Sequence, residues 1–168
     1  MSLITFQGKP IHTCGKLPSV GETAPDFSLT NSKLVDVSLA DFSGKIKLLN
    51  IVPSLDTPTC AISARKFNEK ASRLKDTVIL MVSADLPFAQ DRFCGKEKLK
   101  DIIALSAFRS AFADDYGVRI TDSILAGLTA RAVIIINEEN KVIYSQLVQE
   151  IAEEPDYESA LEVLAKQN

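Results

Sequence analysis

Between residues 46 and 83 the chain changes character three times, and that succession narrows the folds open to it. Residues 46–52 form a mostly apolar run short enough for a buried strand, and Pro53 ends it, because proline offers no amide hydrogen to a ladder. Thr57-Pro58 then reads as an N-cap followed by a proline at the first helical position. Cys60, Ala64, Phe67, Ala71 and Leu74 recur at spacings of four and three, so a helix over 58–75 buries one apolar face. Residues 77–83 supply a second apolar strand. Two such strands joined by an amphipathic helix make a right-handed βαβ unit with parallel pairing, which places the chain in the α/β class.

Simpler pieces flank this unit. Ile4-Thr5-Phe6 and Ile11-His12-Thr13 surround Gly8-Lys9-Pro10 as a hairpin within residues 1–15, and the Pro- and Gly-rich residues 17–26 read as a loop. Residues 26–30 and 35–39 pair around Asn31-Ser32-Lys33. A helix is expected from Phe88, then an apolar segment at 102–105 and an irregular stretch around Tyr116-Gly117. The chain closes with strands at 132–136 and 142–147 about the turn Asn137-Glu138-Glu139-Asn140, and a helix opening at Pro155. No repeat, low-complexity tract or linker interrupts the order, so one domain over residues 1–168 is expected, in the usual size range.

A net charge of −3, with no basic cluster interleaved with aromatics, argues against nucleic acid as a partner. The lysines at 96, 98 and 100 are broken by Glu97 and Asp101 and read as a solvated helical face. No run approaches the roughly twenty apolar residues that span a bilayer, and residues 1–15 lack the features of a secretory leader. Three cysteines, an odd and sparse count, suit a cytoplasmic protein with working thiols better than a secreted disulfide scaffold.

Among those thiols Cys60 stands out. It falls at N3, where free backbone amides and the helix dipole favour an anion such as a thiolate. The plainer alternative is that Cys60 is a small apolar residue heading the buried stripe. Other chemistries fit poorly. There is no Cys-x-x-Cys; Cys60 and Arg65 enclose four residues and no glycine, unlike a phosphate cradle; three dispersed cysteines with the single His12 make a poor zinc site. A Cys–His hydrolase would have to use His12, which the spacing neither supports nor excludes.

Pro53-x-x-x-Thr57-x-x-Cys60 matches the active-site pattern of the peroxiredoxins, and nearly the whole chain resembles their thiol peroxidase branch. The residues carrying that resemblance are the early hairpin ahead of Gly21-x-x-Ala24-Pro25-Asp26-Phe27, the 53–60 loop, Arg65-Lys66-Phe67, Asp91-Arg92-Phe93-Cys94 and Ala130-Arg131-Ala132. It implies a thioredoxin-like fold with a central mixed sheet flanked by helices and an N-terminal hairpin. It also implies a homodimeric, cytoplasmic enzyme without metal or organic cofactor that reduces hydrogen peroxide and alkyl hydroperoxides and draws electrons from thioredoxin. Cys60 would be the peroxidatic cysteine and Cys94 the resolving one, joined in an intramolecular disulfide. Thr57 would set its hydroxyl against sulfur and peroxide, Pro53 would shield the pocket, and Arg131 would supply a fixed cation.

Energetics ask for several such partners. Lowering any thiol pKa from about 8.5 to about 6 takes 3.4 kcal/mol at about 1.36 kcal/mol per unit. A helix end supplies only about 0.3–1 kcal/mol, whereas a charge-assisted hydrogen bond adds about 1.5–3 kcal/mol. In the expected topology Cys60 and Cys94 follow successive parallel strands and share one sheet edge, with Gly95 as a yielding point for the helix movement a disulfide requires. Cys14 reads as a bystander, and Leu55, Phe88 and Ile124 as an apolar wall for alkyl peroxides. The alternative from another class is a thioredoxin-fold interaction module with inert cysteines; thiol alkylation rate separates the two.

Overall fold

The chain, described at residues 1–71 and 74–167 by a computed structural model, opens with an antiparallel hairpin of β1 (Leu3–Phe6) and β2 (Lys9–His12). Gln7 and Gly8 form its turn at φ 52° and 75°, the twist a two-residue hairpin loop demands. The expected turn at Gly8-Lys9-Pro10 is therefore misplaced, because Lys9 and Pro10 are strand residues. Pro10 is tolerated opposite Thr5: the Thr5 amide and carbonyl bond to Gln149 and Ile151, so this pair exchanges no ladder hydrogen bonds.

Short β3 (Leu29–Thr30) and β4 (Asp36–Val37) pair next, and a 3-10 turn at Leu39–Phe42 ends the second strand earlier than residue 39. There follow β5 (Ile46–Ile51), α1 (Pro58–Ala71), β6 (Thr77–Ser83), α2 (Pro87–Glu97), β7 (Ile102–Ser106), α3 (Phe112–Asp115), β8 (Ala132–Ile136), β9 (Val142–Leu147) and α4 (Tyr157–Ala165). For the expected helix to Lys75, residues 72 and 73 and the Ala71 side chain lie outside the described residues, and Leu74 and Lys75 lie beyond the helix. The last helix opens at Tyr157, two residues past Pro155, because Asp156 caps it by accepting the Ser159 amide at 3.0 Å.

The strands form a mixed seven-stranded sheet in the order β4-β3-β7-β6-β5-β8-β9, with the hairpin apart from it. β5, β6 and β7 run parallel, while β8 lies antiparallel to β5 and β9 to β8. All six residues of β5 are buried, as a strand covered on both faces requires. Alternation along the strands divides the core. Ile46, Leu48, Ile79, Met81, Val133 and Ile135 face α1 and α4; Leu49, Ile51, Leu80, Val82, Ile134 and Ile136 belong to the second cluster, with Phe27, Phe112 and Tyr116. This is the thioredoxin-like arrangement expected from the sequence, and it sets the loop before α1 and the start of β8 side by side, since β5 and β8 pair at Ile51 and Ala132.

Candidate active site

The loop between β5 and α1 cannot continue the sheet past Pro53, so its polar groups find other partners. Thr57 caps α1: its carbonyl accepts the Ala61 amide at 3.1 Å, and its hydroxyl accepts the Cys60 amide at a long 3.4 Å. Cys60 accordingly sits at N3 with 0% exposure, packed with Ala64 and Phe67. Both readings of the residue hold together, because the sulfur heads the apolar stripe and also lies at a helix start.

Arg131, immediately before β8, reaches that sulfur. Its Nη1 donates to Cys60 Sγ at 3.3 Å and its Nε to the Ile151 carbonyl at 2.9 Å, while the side chain is only 2% exposed. A guanidinium removed from water must find acceptors inside the protein, and the sulfur and that carbonyl supply two. The two strand ends are locked by Thr129, whose hydroxyl donates to the Val52 carbonyl at 2.7 Å. Pro53 is buried.

Sequence reasoning missed the supports of Arg131. The Ile151 carbonyl is held in place by the hairpin: the Ile151 amide donates to the Thr5 carbonyl at 2.9 Å, and Glu150 accepts from the Thr5 hydroxyl at 2.8 Å and from the Gln7 and Gly8 amides at 3.1 Å each. One turn on, Glu154 pairs with Lys66 at 3.1 Å and accepts the Tyr157 hydroxyl at 2.9 Å. Hydrogen bonds from Lys66 and Tyr157, with the positive charges of Lys66 and Arg131, hold the Glu154 carboxyl below its ordinary range. Burial first, then Glu154, pushes the Tyr157 phenol up, so it remains a neutral donor. The motif Arg65-Lys66-Phe67 carried the only sequence signal: Phe67 is core, Lys66 reaches Glu154, and Arg65 reaches Glu97 in α2 at 2.7 Å.

A cleft of about 680 Å³ opens beside the loop, lined among others by Leu55, Thr57, Pro58, Arg92 and Phe93. Of the expected apolar wall only Leu55 lines it; Phe88, in the first turn of α2, and Ile124, in a turn ahead of β8, are 69% and 88% exposed. Cys94 is placed differently from the sequence reading. It is the eighth residue of α2, about two turns beyond the sheet edge, half-buried among the residues that pack with Leu99 and Ile102. Burial, reinforced by the Asp91 carboxylate, pushes its thiol pKa up. Cys14, half-buried, points its sulfur at the Ala113 carbonyl at 3.6 Å. His12 pairs with Asp122 at 2.7 Å on the hairpin. Among the described residues no cluster of His, Cys, Asp and Glu is arranged to hold a metal ion, and no helix is long and apolar enough to cross a membrane.

Residues 19–161 match the Redoxin family model. Over 164 residues, 98% of this chain and 99% of the relative, the sequence is 52% identical to a thiol peroxidase of Mycobacterium bovis. The chain belongs to the thiol peroxidase branch of the peroxiredoxins. Enzymes of this branch reduce hydroperoxides with a cysteine thiol. Among solved structures, a peroxiredoxin-like protein from Aquifex aeolicus superposes with a TM-score of 0.94 at 35% identity, covering 100% of this chain and 98% of that one. A thiol peroxidase from Chromobacterium violaceum shares the fold with a TM-score of 0.91 at 24% identity, over 98% and 96% of the two chains.

Proposed function

We propose that this peroxiredoxin reduces hydrogen peroxide and alkyl hydroperoxides in a thioredoxin-recycled cycle, with Cys60 as nucleophile. The Cys60 thiolate attacks the terminal peroxide oxygen; an S–O bond forms, the O–O bond breaks, and the departing oxygen takes a proton to leave as water or alcohol. Cys60 is left as a sulfenic acid. The Cys94 thiolate then attacks that sulfur, water leaves, and an intramolecular disulfide results. Two electrons and two protons from a thioredoxin dithiol restore both thiols. Pro53 and Leu55 shield the reacting atoms, and the Thr57 hydroxyl directs the peroxide.

The observation that carries this reading is the buried Arg131 Nη1 at 3.3 Å from a cysteine sulfur at a helix start. Of the two groups hydrogen-bonded to that guanidinium, the Ile151 carbonyl and the Cys60 sulfur, only the sulfur can become an anion, and a buried cation supports an anion beside it. The family likeness supports reading the enzyme as a cytoplasmic homodimer of one domain per chain; sedimentation of the reduced protein tests the oligomeric state. Peroxide-dependent oxidation of NADPH by thioredoxin and its reductase, with and without the protein, tests the cycle. Turnover above background is expected, and its absence in fully reduced, folded protein overturns the assignment.

A further inference from the structure

One carboxylate joins the segments that lead into the two cysteine-bearing helices. Asp85 lies between β6 and α2 and is half-buried. Its Oδ1 accepts from Ser54 Oγ at 2.9 Å, and its Oδ2 accepts from the Leu55 amide at 2.8 Å and from Ser83 Oγ at 2.7 Å. Ser106 Oγ donates to the Asp85 carbonyl, and Gln90 of α2 donates to Ser83 Oγ and to the Leu105 carbonyl, both at 3.0 Å. Asp85 is thus fixed from β6 and β7, with α2 bracing Ser83, and extends into the 53–57 loop.

That loop depends on the contact. Ser54 Oγ also accepts the Asp56 amide at 3.2 Å, and the Ser54 carbonyl accepts the Thr57 hydroxyl at 3.4 Å. The same hydroxyl caps Cys60. Without Asp85, Ser54 and Leu55 lose the bonds that set the direction of the chain between Pro53 and Thr57. Hydrogen bonds to an ionised acceptor are shorter and about twice as strong as neutral ones, so a carboxylate holds such a turn better than water would.

We infer that Asp85 is a positioning residue for the peroxide step: by fixing Ser54 and Leu55 it holds the Thr57 hydroxyl and the cleft wall in the geometry that attack by Cys60 needs. Its oxygens are occupied by three donors, so it acts through the loop and not on the peroxide. The inference rests on the proposed roles of Cys60 and Cys94, and the experiment separates the two. Reduced protein is mixed with one equivalent of hydrogen peroxide, and peroxide loss and disulfide formation are timed separately. In Asp85→Ala the first rate falls by about tenfold or more, while the second is unchanged or faster, since loosening the loop frees the start of α1. In Asp85→Asn, which keeps the shape and loses the charge, the first rate recovers in part. Should Asp85→Ala fail to fold, Ser54→Ala carries the test, with a decrease of about threefold expected in the first rate alone. An unchanged first rate, or an equal fall in both, overturns the positioning role. Peroxide consumption that survives Cys60→Ser overturns the underlying assignment instead.

Discussion

Cys60 and Cys94 belong to the same apolar cluster on the same face of the sheet, yet their surroundings differ in what they favour. Cys60 lies in the first turn of α1, with a capping hydroxyl, a desolvated guanidinium and no exposure. Cys94 lies in the last turns of α2, half-buried, near Asp91, its thiol form favoured by burial and by that negative charge. The helices differ in the same sense: Thr57 caps α1, whereas Leu86, at the N-cap of α2, has no side-chain bond to offer. Apolar burial is common to both sites. What separates the two sulfurs is the charge brought up to each, a guanidinium at Cys60 and a carboxylate near Cys94.

The sharpest way to break that contrast is Cys60→Ser, which preserves shape and removes the anion. Peroxide turnover falls to background while the circular dichroism spectrum is unchanged; residual turnover would put the nucleophile elsewhere. Cys94→Ser should divide the cycle. One equivalent of peroxide is still consumed, but thioredoxin-linked turnover stalls and mass spectrometry finds Cys60 over-oxidised; in the parent protein, peptide mapping finds Cys60–Cys94 with Cys14 free. A main product linking Cys14 would end the resolving role of Cys94. Arg131→Met removes the charge and keeps the volume. The second-order rate with peroxide is expected to drop more than about tenfold, since about 1.4 kcal/mol is one decade, and an unchanged rate would leave Arg131 structural.

Smaller effects refine the comparison. Because the folded state raises the Cys94 pKa, the opened chain releases that proton first; closed α2 therefore loses stability as pH rises above about 8.5. Disulfide formation should quicken from pH 7 to 9, with the thiolate fraction, and a flat profile in stopped-flow would show that ionisation of Cys94 does not limit the step. Least of all should matter Arg65→Ala, which removes the pair with Glu97 across α1 and α2. With the arginine side chain 47% exposed, about 0–1 kcal/mol is expected in urea unfolding; a larger loss would mean that this pair, and not the packing of Cys94, holds α2 down.

Local chemistry was legible from the residues. Thr57-Pro58 announces a helix start, the 60, 64, 67 spacing a buried face, and the apolar runs at 46–52 and 77–83 strands covered on both sides, because each depends on neighbours within about one helical turn or a few strand residues. The position of Cys94 was not, because helix α2 begins at Pro87 and carries that residue two turns from the edge where strand order alone placed it. Nor were the distant supports. Arg131 meets Cys60 across 71 residues, the hairpin reaches the strap that holds Arg131 across more than 140, and Asp85 reaches Ser54 across 31. Sequence by itself determined most of the elements, the place of Cys60 at a helix start and its cap, since helix termini and alternation are local. Only tertiary structure decided which charge faces the sulfur and which carboxylate holds its loop, since those are set by the register of β5 with β8 and by the turn after β6, and no spacing along the chain records them.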